Sequence, residues 1–170
     1  MAKNITVGYS VLGIPQWRRQ IRAVKDSVKS MKPGFELIAK DFYETEKSQF
    51  AGSGSFEGNK PWVGLSDIYK AWKDRHFPGQ PILTLHGNLR DSLTKKGAPG
   101  NIHRISDMSF EIGTGIEYAI YHQKGTSKML PRPPIWLTEA EKRRWGALLK
   151  RSLGKRIMKA GRQKYAPPKA

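Results

Sequence analysis

Between Phe110 and Arg132 the chain reads FEIGTGIEYAIYHQKGTSKMLPR, and no other stretch restricts the fold so tightly. A strand-like alternation runs into a Gly-Thr-Gly break, then an aromatic-rich segment of short-helix character, a second Gly-Thr break and a proline-rich exit. Gly113, Gly115 and Gly125 open backbone angles closed to other residues, so strand, helix and extended segment can turn sharply on one another. Nothing in the stretch has the pattern of a catalytic site.

The segments upstream predict helices. Residues 1–14 are expected as an extended N-terminal arm, and Pro15 suits the first turn of a helix carrying Trp17, Ile21, Val24, Val28 and Met31 on one stripe. Arg18, Arg19, Arg22, Lys25 and Lys29 form its solvated face. Pro33-Gly34 predicts a stop. A second helix from Phe35 to about Phe50, with Ile38, Phe42, Thr45 and Gln49 inward, would complete a helical hairpin, and its acidic Glu36, Asp41, Glu44 and Glu46 are expected at the surface. Residues 51–60 (AGSGSFEGNK) read as a flexible loop that a partner orders through Phe56, since its glycines lack the spacing of a dinucleotide or Walker loop.

Ser66-Asp67 starts a short helix with Leu65, Tyr69, Trp72 and His76 on one side, expected to pack in the core. The run PILTLHGNLRDSLTKKG predicts a helix from Ile82 to Lys96, capped by Gly97, in which Gly87 is kept for the close approach of another backbone. From Asn101 the period shortens to two, predicting a hairpin that turns at Ser106-Asp107 with Met108, Phe110 and Ile112 half-buried. PRPPIW must be extended. Thr138 and Glu141 have capping-box spacing before a helix with Trp145, Leu148, Leu149, Leu153 and Ile157 as its apolar stripe.

The expected fold class is therefore α+β: helices on a small antiparallel sheet, with an N-terminal helical hairpin and a basic C-terminal helix. One core domain over residues 15–137 is flanked by the arm 1–14 and the basic helix and tail 138–170.

Charge sharpens this division. Of the net +17, the segment 138–170 holds +9, from 11 basic and 2 acidic residues, whereas 61–123 holds +1. Such asymmetry points to nucleic acid, an acidic protein surface or a membrane surface, with Arg143, Lys150, Arg151, Lys155, Arg156 and Lys159 as the partner- or DNA-facing residues. Catalytic signals are poor. There is no Cys, which excludes a thiolate nucleophile and any Cys-ligated zinc, and His76, His86, His103 and His122 fall on different elements without metal-site spacing. No enzyme, metal or cofactor is expected, and neither a signal peptide nor a membrane helix is legible.

Two stretches together are similar to the virion morphogenesis (tail completion) family of tailed bacteriophages. They are Ile82-Leu83-Thr84-Leu85-His86-Gly87-Asn88-Leu89-Arg90-Asp91-Ser92-Leu93, and the series Ile112-Gly113-Thr114, Tyr118-Ala119, Tyr121-His122-Gln123, Gly125-Thr126 and Pro131-Arg132-Pro133. The likeness covers roughly residues 61–140, and His86 stands where that family commonly has Thr. Gly87, Leu89, Arg90, Gly113, Tyr118, His122, Gly125, Pro131 and Arg132 would be its structural motif. The resemblance implies a non-enzymatic ring, a hexamer by expectation, at the neck or tail top of a virion assembled in host cytoplasm. Its partners would be neck, tail-terminator or tail-tube proteins and packaged DNA, with no membrane. A basic nucleic-acid-binding accessory protein is the alternative, and a metal-dependent nuclease a third.

Overall fold

Helix α2 (Lys32–Ala51) is the element on which the others are laid, and it packs against α6 (Glu139–Gln163), α4 (Asn88–Thr94) and both strands, β1 (Asn101–Ile105) and β2 (Phe110–Thr114). The computed structural model describes residues 18, 21, 22, 24–26 and 28–163, with side chains described as far as residue 159. Helix α1 is described at residues 18, 21, 22, 24–26 and 28, and α3 (Asp67–His76) and α5 (Ala119–Lys124) complete an α+β fold of six helices and one antiparallel pair of strands.

The 3.6-residue period explains α2. Ile38, Phe42, Thr45 and Gln49 recur at three- and four-residue steps, and all four are buried. Phe42, Tyr43 and Phe50 continue into a core with Trp62, Leu89, Leu93 and Ala119, onto which Ile112, Ile135 and Trp145 pack. Pro33 and Gly34 do not end a helix as expected. They occupy the first turn of α2, where a missing N–H costs nothing, and the break falls at residues 29–31. Gly34 sits in close contact with α6, since a Cβ there would meet Leu149 Cδ2 at 2.8 Å and that side chain would have to shift.

The hairpin turns across residues 106–109, with Ile102 opposite Gly113 and Ile105 opposite Phe110. Phe110 and Ile112 are half-buried as expected, but Met108 lies in the turn and is exposed. The pair is fastened to α4 and α2 by polar groups. Asn101 Nδ2 donates to the Ser92 carbonyl at 2.7 Å, Tyr43 Oη donates to Asn101 Oδ1 at 3.2 Å, and Ser92 Oγ lies 2.8 Å from Thr114 Oγ1.

The C-terminal helix docks through its first turns. The capping box forms as its spacing predicts: Glu141 Oε2 accepts from Thr138 N and Oγ1, both at 2.8 Å, and Glu141 N donates to Thr138 Oγ1 at 3.1 Å. Beyond it, Arg144 Nε donates to both oxygens of Asp41 at 2.9 Å, Nη1 to Glu57 at 2.7 Å and Nη2 to Thr45 Oγ1 at 3.2 Å. Trp145 Nε1 donates to the same Asp41 at 2.8 Å.

Residues 52–60 form an irregular loop in which Glu57 pairs with Arg144, Gly54 N donates to Gln49 O at 2.8 Å and Trp62 N to Ser53 O at 2.8 Å. Other expectations are corrected. Glu46 is not a surface residue but 2% exposed, for it follows Phe42 by four and precedes Phe50 by four and so shares their face. Ile21, Val24 and Val28 of α1 are exposed. The arm 1–14, Trp17 and the tail 164–170 lie outside the described residues, as does part of the predicted hairpin of α1 on α2.

Two outcomes follow for the α2–α6 junction. Arg144→Ala should lower unfolding free energy by about 1–2 kcal/mol in urea titrations, because it removes the cation between partly buried Asp41 and Thr45 and leaves their oxygens with fewer partners. Glu46 has its pKa raised well above the ordinary carboxylate range, first by burial and then by the nearby Glu141 carboxylate. A raised folded-state pKa contributes stability at low pH that is lost as pH climbs through that pKa. Thermal stability should therefore fall as pH rises from the ordinary carboxylate range through the raised Glu46 pKa, and Glu46→Gln should flatten that fall.

Candidate functional site

Two surfaces carry the residues singled out by sequence, and the first is a cleft. Its far wall is α3, whose orientation reverses expectation. Tyr69, Trp72 and His76 were expected in the core, yet Tyr69 is 43% and Trp72 42% exposed, and the three rings stack along the outside with centroids 5.5 Å and 5.0 Å apart. Lys73 is the buried residue of α3 instead. It shares a face with Tyr69 and Phe77, and its Nζ donates to the Pro81 carbonyl at 2.5 Å.

The floor is the segment 81–88. The helix predicted from Ile82 to Lys96 forms only at Asn88–Thr94, because Gly87 caps its N-terminus in the left-handed region at φ 85°. The expected role of Gly87 in close helix packing is thus replaced by a backbone one: residues 81–87 leave the helix axis as turns, which lets Thr84, Leu85 and His86 line the cleft. Leu89 is buried in the core just beneath, and Arg90 Nε pairs with Asp91 Oδ1 at 3.0 Å.

The near wall is the Phe110–Arg132 stretch. Tyr118 caps α5 and meets His122 edge-on with centroids 6.0 Å apart. Gly125 ends α5 at φ 75°, and the chain reverses through a Thr126–Met129 bridge. Arg132 N then donates to His122 O at 2.8 Å, while its Nε and Nη2 donate to the carbonyls of Val63 and Gly64 at 2.6 and 2.8 Å. A proline run cannot join a ladder, so side chains take up its carbonyls. Trp62 Nε1 donates to Pro133 O at 2.8 Å, Gln49 Nε2 to Pro134 O at 2.9 Å and Gln123 Nε2 to Ile135 O at 2.9 Å.

The resulting cleft has a volume of about 820 Å³. It brings together Gly87, Leu89, Tyr118, His122 and Arg132 of the predicted motif. Gly113 lies in β2, Arg90 and Gly125 stand outside the lining, and Pro131 lines a second hollow of about 490 Å³ with Trp62 and Trp136. Burial, then the Arg132 charge, holds the His122 pKa below its ordinary value, so its ring is neutral near pH 7. Lys73, Thr84 and Lys128 also line the cleft and were not singled out by sequence. The spacing of Lys73 from Tyr69 was the available signal for the first of them.

The second surface is the outer face of α6. Arg143, Lys150, Arg151, Lys155 and Lys159 are exposed, and none has an ion-pair partner among the described residues. Arg156 differs, for it is partly buried and donates to the Ser30 carbonyl. Arg144, the cation that holds the helix down, was missed by sequence although it precedes Leu148 by four and so borders the apolar stripe. The four histidines remain dispersed, and among the described residues no three His, Asp or Glu side chains converge as a metal site would require. No described helix is long and apolar enough to cross a membrane.

Gly87→Ala should cost about 1–2 kcal/mol in chemical unfolding, from the left-handed backbone alone and with a Cβ only 3.0 Å from Arg90 Nη2. An alanine variant as stable as the parent would contradict this backbone role.

Comparison with protein-family models, with curated proteins and with solved structures finds no match for this chain.

Proposed function

We propose that the protein is a structural component of a phage neck or tail top, a tail-completion protein that closes into a homo-oligomeric ring and lets a finished tail join a filled head. The observation that carries the reading is apolar surface left open on several different elements. Tyr121 on α5, Trp136 in the extended run and Met158 on α6 are each more than half exposed. Large apolar side chains open to water on different elements are available for contacts with neighbouring subunits. Subunits of a cyclic ring join head to tail and need two unlike faces each, and apolar residues exposed on separate elements are in keeping with that need. The order of motifs over residues 61–140 supports the specific family.

In this reading α6 has two duties. Its inner side anchors to α2 through Arg144, and its outer side offers unpaired cations to an acidic neighbour or to DNA. A second reading, a basic accessory protein that binds nucleic acid as a monomer, is favoured by the stacked Tyr69–Trp72–His76 row beside Lys70.

The double variant Arg151→Glu/Lys155→Glu separates them. Exposed charges contribute little to stability, so its circular dichroism should match the parent's. Head–tail joining should fall about tenfold at low salt, and parent and variant should converge as salt rises. Equal joining at every salt concentration would make the basic face a solvated surface only. Loss of binding to free DNA by a monomer, with joining intact, would favour the accessory-protein reading.

A further inference from the structure

The cleft between α3, the 81–88 segment and the 118–132 stretch holds cationic groups and no carboxylate. Lys73 is 4% exposed, and its one hydrogen-bond partner is a neutral carbonyl. Burial lowers its pKa, and the neighbouring Asp74 carboxylate, which pairs with Lys70, offsets this only in part. Removing an ammonium from water without a directly bonded counter-charge is costly, and structures ordinarily pair such a group or leave it exposed. Beside it, Thr84 is 1% exposed, and its Oγ1 has no hydrogen-bond partner among the described residues. Buried hydroxyls are nearly always satisfied. At the mouth, Lys128 is exposed and unpaired among the described residues, and Arg132 directs Nε and Nη2 to backbone carbonyls, leaving its charge without a carboxylate. The same walls are also apolar, with Leu65, Leu83, Leu85, Met129 and Leu130.

We infer that this cleft is the docking site for an extended acidic-apolar peptide segment of a partner protein, whose carboxylate enters between Lys73, Thr84 and Lys128 while its large apolar side chains lie on the leucine-lined walls. Three features select this occupant. An anion answers the unpaired buried ammonium. A carboxylate on a slender side chain can reach a buried Lys73, which a duplex phosphate backbone cannot. The apolar surface runs on past the cleft, through Ile68 next to Tyr69 and through Leu130 at 61% exposure, so the ligand extends beyond the size of a small molecule. A second copy of this chain is a poor source, because its net charge is +17. The inference does not rest on the virion reading. It concerns what the cleft accepts, in whatever assembly the chain serves.

The test uses the full chain and fluorescein-labelled octapeptides in which glutamate alternates with leucine or phenylalanine, with glutamine and lysine versions as controls and a labelled oligothymidylate as the competing class. Binding is read by anisotropy and its location by backbone amide shifts. The glutamate peptide should bind at least about tenfold tighter than the glutamine one, the lysine peptide should not bind, and shifts should cluster at residues 65–69, 84–88 and 128–130. Lys128→Glu, an exposed change that leaves the fold intact, should weaken the glutamate peptide about tenfold. Lys73→Met should abolish the preference for glutamate over glutamine. Should Lys73→Met fail to fold, Lys128→Glu and the amide shifts still decide. The inference is overturned if no acidic peptide binds, if the shifts lie elsewhere, if Lys128→Glu binds as the parent does, or if oligothymidylate alone binds through these residues.

Discussion

Arg144 joins three parts of the chain that are distant in sequence. Its guanidinium spans the Asp41 carboxylate on α2, the Thr45 hydroxyl one turn further on and Glu57 in the 52–60 segment, while the adjoining Trp145 donates to Asp41 and packs on the core. The planar fork of an arginine meets such a set of acceptors, which a lysine's point charge would not. Because Asp41 and Thr45 are partly buried, their acceptors would carry a desolvation cost if the arginine were lost. Arg144 thereby ties α6 to α2 and to the 52–60 segment at one point, beside the packing of Trp145 on the core.

A second constraint, proline chemistry, shapes the surface where the cleft opens. The run from Pro131 to Pro134 has few N–H groups and cannot pair as a strand, so Trp62, Gln49, Gln123 and Arg132 hold it by side-chain hydrogen bonds. Those bonds fix the wall that faces α3. Gly87, by turning the preceding segment off the helix axis, fixes the floor. The cleft is thus built on hydrogen-bonded backbone from three separate stretches, while the side chains lining it retain unused donors.

Much of the architecture was legible because it rests on periodicity. The α2 stripe, the 101–114 hairpin and the Thr138/Glu141 cap each follow from spacing alone, and each forms. Periodicity names a face but not what lies against it, which is why α3 was misread: Tyr69, Trp72 and His76 do share a side, and they cover one another in the open rather than entering the core. The leucine pattern from Ile82 to Leu93 likewise conceals a break, since Leu85 and Leu89 keep helical spacing across a glycine whose left-handed backbone ends the helix. Glu46 was recoverable from its four-residue steps to Phe42 and Phe50. Thr84 was not, for its burial depends on turns that no local pattern encodes. The motif series gathered five of its nine residues on one cleft, whereas the cleft's buried cation came from outside the series.

Apolar side chains exposed on several elements and a cationic helix anchored on one side are the features on which the proposed ring assembly rests. The measurement that bears most directly on this is the mass of the purified protein across a concentration series, by native mass spectrometry or light scattering. A closed ring predicts one discrete species above the 19.2 kDa of a single chain, at a fixed integer multiple that does not grow with concentration. A mass of one chain at every concentration, with Trp72 and Trp136 still open to solvent in the assembled particle, would contradict the account.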